Sequence, residues 1–109
     1  MYLHSSFDLA PGVSLDDYKA ALQDFTKFMQ SKNLLVETGP VLERYRHPIM
    51  DTDDGRKHRY FFVMSFSDRA QCDAAVQHIL SADPAVNAAH RAVHQDIISP
   101  IFSCWTDSS

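Results

Sequence analysis

The chain opens on a strict alternation. Between Tyr2 and Leu9, the residues Leu3, Phe7 and Leu9 fall on one side with Ser5 among them. Tyr2, His4, Ser6 and Asp8 fall on the other. A period of two predicts a half-buried strand, and Pro11-Gly12 closes it with a turn. The spacing then lengthens: Leu15, Tyr18, Leu22, Phe25 and Met29 recur at steps of three and four. That spacing predicts a helix with one buried stripe. Ser14, followed three residues later by Asp17, forms an imperfect capping box at its start, and Asn33 is a suitable stop.

Gly39-Pro40 introduces a second strand, expected over about Val41 to His47 and ended by Pro48. Asp51 to Gly55 has turn chemistry, sharpest at Asp54-Gly55. The run RYFFVMSFSD, Arg59 to Asp68, predicts a third strand to about Phe66. Tyr60, Phe62, Met64 and Phe66 lie on one face of it, and Phe61 and Val63 on the other. Asp68 with Gln71 starts a second helix that presents Cys72, Ala75, Val76, Ile79 and Leu80. Asp83-Pro84, as cap and first-turn proline, starts a third helix to about His94, with Val86, Ala89 and Val93 on its apolar side. Ile97 to Trp105 is the last strand, and Pro100 within it marks a sheet edge.

The order β-α-β-β-α-α-β is the split-βαβ, ferredoxin-like plan of the α+β class, with one additional helix before the last strand. It predicts a four-stranded antiparallel sheet with helices on one face, formed by residues 1–109 as a single domain. The helix side then takes Leu3, Phe7 and Leu9 together with Tyr60, Phe62, Met64 and Phe66. The far side keeps Tyr2, His4, Ser6, Arg59, Phe61, Val63 and Ser65. Burying Phe61 and Val63 would contribute on the order of 1.5–3 kcal/mol each, and leaving them open would create an apolar patch. A second copy of the chain, packed face to face, would close the two sheets into a barrel.

The element order, a first strand ending in DLAPG, the strand FFVMSFSD running straight into a helix, and paired helices before an Ile-rich last strand together resemble the dimeric α/β-barrel superfamily. That group includes the stress-responsive A/B-barrel domains and the antibiotic-biosynthesis-monooxygenase domains. The resemblance covers nearly the whole chain and implies a homodimer with a cavity between sheet and helices or between the two sheets. Functions in the group range from cofactor-independent oxygenation and haem degradation to cyclisation.

Composition narrows the picture. The chain has 109 residues, 45% of them hydrophobic and 22% charged, with a formal net charge of −4. An acidic balance argues against a polyanion-binding surface. RNA-recognition motifs share the plan and stack bases on strand aromatics. Here, however, Arg59 or Tyr60 stands in place of their glycine, and Phe61 or Phe62 fills their small position. No nucleic-acid partner is therefore expected. No apolar run approaches the ~18 residues of a membrane span, and the start lacks the layout of a secretory signal. Cys72 and Cys104, far apart and without CxxC spacing, are expected to be reduced thiols in a cytoplasmic protein.

The expected function is binding of a small, partly apolar molecule in a cavity lined by the sheet. Two alternatives stand beside it: a cofactor-independent oxygenase, isomerase or cyclase using a cavity histidine, and a non-enzymatic structural dimer. If catalysis occurs, His4 is the expected proton-transfer group. Tyr2, Ser6 and Arg59 would then supply polar contacts, with Phe61 and Val63 as the apolar wall and His94 at the mouth. His90 and His94 have a spacing that presents two imidazoles together, with Asp96 nearby, yet no HExxH pattern accompanies them and neither metal nor cofactor is expected. Arg44, Arg46, Arg56, Lys57 and Arg59 gather near one strand end. Glu43, Asp51, Asp53 and Asp54 are close enough in sequence to neutralise them.

Overall fold

The computed structural model describes residues 1–81 and 84–108, apart from the Val86 side chain. The strand β1 (Tyr2–Leu9) is followed by the helix α1 (Leu15–Ser31) and two short strands, β2 (Glu37–Thr38) and β3 (Leu42–Glu43). Then come β4 (Tyr60–Ser65), the helices α2 (Arg69–Ile79) and α3 (Pro84–His94), and β5 (Ile97–Trp105). The expected Asp83 cap and Val86 contact lie outside the described residues.

Local chemistry sets these boundaries. The Ser14 hydroxyl accepts the Asp17 N–H at 3.0 Å to start α1. At its end Asn33 takes a left-handed φ of 57°, which Asn tolerates better than most residues. Asp68 caps α2 by accepting the Gln71 N–H at 2.8 Å. The Gln71 side chain in turn accepts the Ser67 N–H at 2.7 Å and donates to the Asn33 carbonyl at 3.1 Å. One glutamine thus ties the start of α2 to the end of α1.

The strands form an antiparallel sheet in the order β2-β4-β1-β5, with β3 also paired to β4. The expected strand from Val41 to His47 is instead an interrupted edge strand that starts earlier and ends sooner. Val36 N–H donates to Ser65 O at 2.9 Å, Gly39 N–H to Val63 O at 2.8 Å and Arg44 N–H to Arg59 O at 2.7 Å. Pro40 has no N–H to give, so the ladder breaks between the two halves. Beyond Arg44 the chain leaves the sheet, and Pro48 lies in a turn rather than at a strand end.

Pairing fixes which side chains share a face. Leu3, Ser5 and Phe7 stand opposite Met64, Phe62 and Tyr60, and all of these lie under the helices. His4 and Ser6 stand opposite Val63 and Phe61 on the open face. On β5 the register shifts between the pairs Ser6–Ile101 and Asp8–Ile98, so β5 uses one residue more than β1. Ser99 absorbs the surplus with a φ of 52°. The bulge brings Ile98 and Ile101 onto the same open face.

Phe7, fully buried, anchors the core. Its ring lies 5.0 Å from Tyr18 of α1, 5.8 Å from Tyr60 and 5.6 Å from Phe62. Leu22, Phe25 and Met29 of α1, with Leu34, Leu35, Met64, Phe66, Cys72, Ala75 and Val93, complete the buried set. Val76 and Leu80, expected on the apolar side of α2, are exposed. Alpha-helical cover thus reaches one face only. The radius of gyration of 14.6 Å exceeds the ~13 Å of a compact chain of this length, as a one-sided layer with a projecting loop should. No helix among the described residues is long and apolar enough to cross a membrane.

Replacing Phe7 with Ala removes the ring that three aromatic neighbours share. We expect a loss of about 3–5 kcal/mol in denaturant-derived stability. A loss below about 1 kcal/mol would contradict a core centred on Phe7.

Candidate functional site

The sheet separates the expected site residues into two groups. Tyr2, His4, Ser6, Phe61 and Val63 lie together on the open face, as their parity requires. His94 lies on the opposite side, at a cavity beneath the helices. The structure therefore does not bring His94 together with His4.

On the open face the His4 ring lies 5.3 Å from Phe61, nearly perpendicular to it, and 5.7 Å from Trp105. Among the described residues no carboxylate pairs with it. Asp8, on the same face, accepts the Arg59 N–H at 2.8 Å instead. His4 is thus an aromatic-flanked imidazole rather than half of an acid–base dyad. Trp105 Nε1–H donates to the Ser103 hydroxyl at 2.8 Å, and Trp105, Ile101, Ile98 and Leu42 remain exposed around this face.

Arg59 stands just before β4, and its guanidinium turns to Glu43, with Nε donating at 2.6 Å. The same group lies 5.4 Å from the Tyr60 ring. The other arginines of the cluster are similarly occupied. Arg44 binds Asp51 through two nitrogens, at 2.8 and 2.6 Å, and also donates to the carbonyls of Asp53 and Arg56. Arg46 donates to the Arg56 carbonyl at 3.1 Å, and Arg56 sits 3.6 Å from Asp53. The basic cluster serves to fold the loop between β3 and β4, not to hold an anion in common.

The helix side holds a different arrangement. Between the sheet and the helices lies a cavity of about 200 Å³, lined by Leu3, Tyr18, Phe25, Phe62, Met64 and Val93 among others. Ser5 lies on its sheet wall and is only 2% exposed. Neither the Ser5 hydroxyl nor the Tyr18 hydroxyl has a hydrogen-bond partner among the described residues. Burial, with the nearby Asp96 charge, raises the Tyr18 pKa well above its usual value and keeps the phenol a donor. Two unpaired hydroxyls in an apolar hollow are what a ligand with one polar group would satisfy.

His90 and His94 stand on the α3 side of this cavity, their rings nearly parallel at 5.3 Å. His90 also lies 6.0 Å from the Phe25 ring. Burial first, and then the neighbouring His94, lower the His90 pKa, so its imidazole stays neutral near pH 7. No group of three or more His, Cys, Asp or Glu side chains gathers as a metal site among the described residues. Burial also raises the Cys72 thiol, which disfavours a reactive thiolate there.

Sequence reasoning missed Ser5 and Tyr18 as site residues. The signal was present: Ser5 is the polar member of an otherwise apolar row on β1, and Tyr18 is the hydroxyl-bearing member of the α1 stripe.

The comparisons place this geometry in a known fold. No family model and no curated protein matches the chain. Solved structures do. A crystal structure of the At3g17210 protein of Arabidopsis thaliana matches with a TM-score of 0.72 at 10% identity, covering 99% of this chain and 95% of that one. A dimeric ferredoxin-like protein of unknown function from Thermobifida fusca matches at 0.56 and 12% identity, covering 94% and 85%. One of the same description from Jannaschia matches at 0.55 and 14%, covering 94% and 96%. At such identities the likeness shows the fold: ferredoxin-like, α+β, with helices against an antiparallel sheet.

The Arg44–Asp51 pair makes a pH prediction. The hydrogen bond from Arg44 holds the Asp51 carboxyl down to about 2, against an ordinary 3.8. Because the folded value is the lower one, the pair's contribution to loop order is complete above about pH 4 and lost as pH falls through about 2. In Arg44→Ala the Asp51 midpoint should move up towards 3.8 in a carboxyl NMR titration. An unmoved midpoint would show that Arg44 does not set it.

Proposed function

We propose that this chain is a homodimer that binds a small, largely apolar molecule in the cavity between its sheet and helices. The observation that carries the binding reading is the unpaired Ser5 hydroxyl on the wall of a largely apolar hollow. An engineered cavity of about 150 Å³ admits benzene, so about 200 Å³ suits a single ring with a short substituent. Among the described residues no Lys or Arg lines the hollow, and burying an unpaired charge is costly. The favoured ligand is therefore neutral, with one hydroxyl or carbonyl placed for Ser5 and Tyr18. The neutral His90 imidazole at one wall offers a further polar contact.

The homodimer reading rests on the open face. Phe61 and Val63 lie there with Ile98, Ile101, Leu42 and Trp105, and the chain's own helices leave this face uncovered. Two matched solved structures are described as dimeric ferredoxin-like proteins, which supports a second copy as the cover. In this reading His4 and Trp105 belong to the subunit contact, and the ligand site is the helix-side cavity. A cytoplasmic location fits a chain whose exposed Cys104 and buried Cys72 are both free thiols.

Two measurements test these readings separately. With p-cresol at about ten times its Kd, thermal unfolding should rise by about 1.4 kcal/mol, on the order of 5 °C. Ser5→Ala should reduce the rise, and benzoate should produce none. No shift with p-cresol or other neutral single-ring probes, or an undiminished one in Ser5→Ala, would refute the ligand reading. By sedimentation equilibrium the native chain should be a dimer at micromolar concentration, and Val63→Glu a folded monomer. A monomeric native chain would refute the pairing.

A further inference from the structure

The loop between β3 and β4 is ordered by its own bonds and yet exposes large apolar side chains. Arg44 gathers Asp51 and the carbonyls of Asp53 and Arg56. His47 Nδ1 accepts the N–H groups of Ile49 and Met50 at 3.1 and 2.9 Å. Asp53 accepts those of Gly55 and Arg56, both at 3.0 Å. This rigid arm nevertheless leaves Tyr45 78%, Ile49 77% and Met50 79% exposed. A preorganised segment that offers apolar surface to water loses little entropy on docking.

We infer that this arm clasps a second copy of the chain, its apolar tip lying against the start of that copy's β5. The inference rests on the dimer reading above and adds to it a specific contact. Three observations point to that occupant. First, the arm is continuous with the open face: a hollow of about 300 Å³ is lined by Ser6, Leu42 and Phe61 from the face and by Arg44, Asp53 and Arg56 from the arm.

Second, the sheet alone offers too little area. A face four strands wide and about seven residues long measures roughly 450 Å² in plan. A standard interface buries about 800 Å² per partner. Side-chain relief narrows that gap, and three large side chains on the arm help to close it.

Third, symmetry brings the arm to β5. A two-fold axis parallel to the strands lays the β3 edge of one copy beside the β5 edge of the other. Such an axis keeps the strand ends level. The arm leaves the sheet at the end where Tyr60 pairs with Phe7 and where Ile97 pairs with Leu9. It therefore reaches the first residues of the second copy's β5. Residues 97–105 carry no charged side chain, and Ile98 and Ile101 are half exposed. An axis perpendicular to the strands would instead carry the arm to the β2 end, beside Glu37 and near Asp68, a poorer match for Ile49 and Met50.

The test compares the native chain, the arm variant Tyr45→Ser/Ile49→Ser/Met50→Ser and Val63→Glu, by sedimentation equilibrium and amide hydrogen exchange. The arm variant should still dimerise, with its Kd raised about 10- to 100-fold. Exchange at Ile98, Ser99 and Ile101 should quicken towards that of the Val63→Glu monomer. An arm variant that dimerises as tightly as the native chain overturns the clasp while leaving the sheet pairing in place. Faster exchange at residues 36–38 in place of 98–101 overturns the docking position. A native chain that is itself monomeric overturns both.

Discussion

Everything in this molecule follows from the parity of one central strand. β1 is hydrogen-bonded on both sides, to β4 and β5, so each of its side chains is committed to one face or the other. The helices cover the face that carries Leu3, Ser5 and Phe7. What lies between them and the sheet is a core that closes tightly around Phe7 and loosens near Ser5. The opposite face, with Tyr2, His4 and Ser6, has no helix to bury it. A one-residue slip in β1 would exchange these two sets and abolish both the core and the cavity.

Most of the fold was legible because its signals are local and agree with one another. The period-two rows of β1 and β4, the helical stripe of α1, the caps at Ser14 and Asp68 and the limits of β5 all match the structure. The edge strand was not. Its pairing partners are chosen by backbone groups of β4 that no side-chain pattern in residues 36–44 reveals, and Gly39-Pro40, which resembles a boundary, falls inside it. The exposure of Val76 and Leu80 was equally hidden, since a helix's apolar width does not say how far a neighbour extends over it.

The candidate site was only half legible. Parity placed His4, Tyr2, Ser6, Phe61 and Val63 on one face correctly, and the resemblance to barrel-forming dimers drew attention there. Yet the hollow with unpaired hydroxyls lies on the other side of the sheet, where the sequence shows an ordinary core. A cavity is a failure of side chains to meet, and the linear pattern of apolar positions carries no record of it. His94 was singled out for its place near a cavity mouth, and it does line a cavity, though not one shared with His4. The basic cluster illustrates the opposite case: five nearby cations resemble an anion site until Arg44, Arg56 and Arg59 are seen to be held by Asp51, Asp53 and Glu43.

The two faces then divide the labour. In the proposed account the open face and the arm hold two copies together, and the covered face keeps a small apolar volume ready for a neutral ring. The account stands on the open face being a subunit contact. An isotope-filtered NOE experiment on a mixture of labelled and unlabelled chains tests that contact most directly. The account predicts cross-peaks from the Val63 and Ile101 methyls of one chain to aromatic protons of another. Cross-peaks arising only within one chain, with the tumbling time of a monomer, would contradict it.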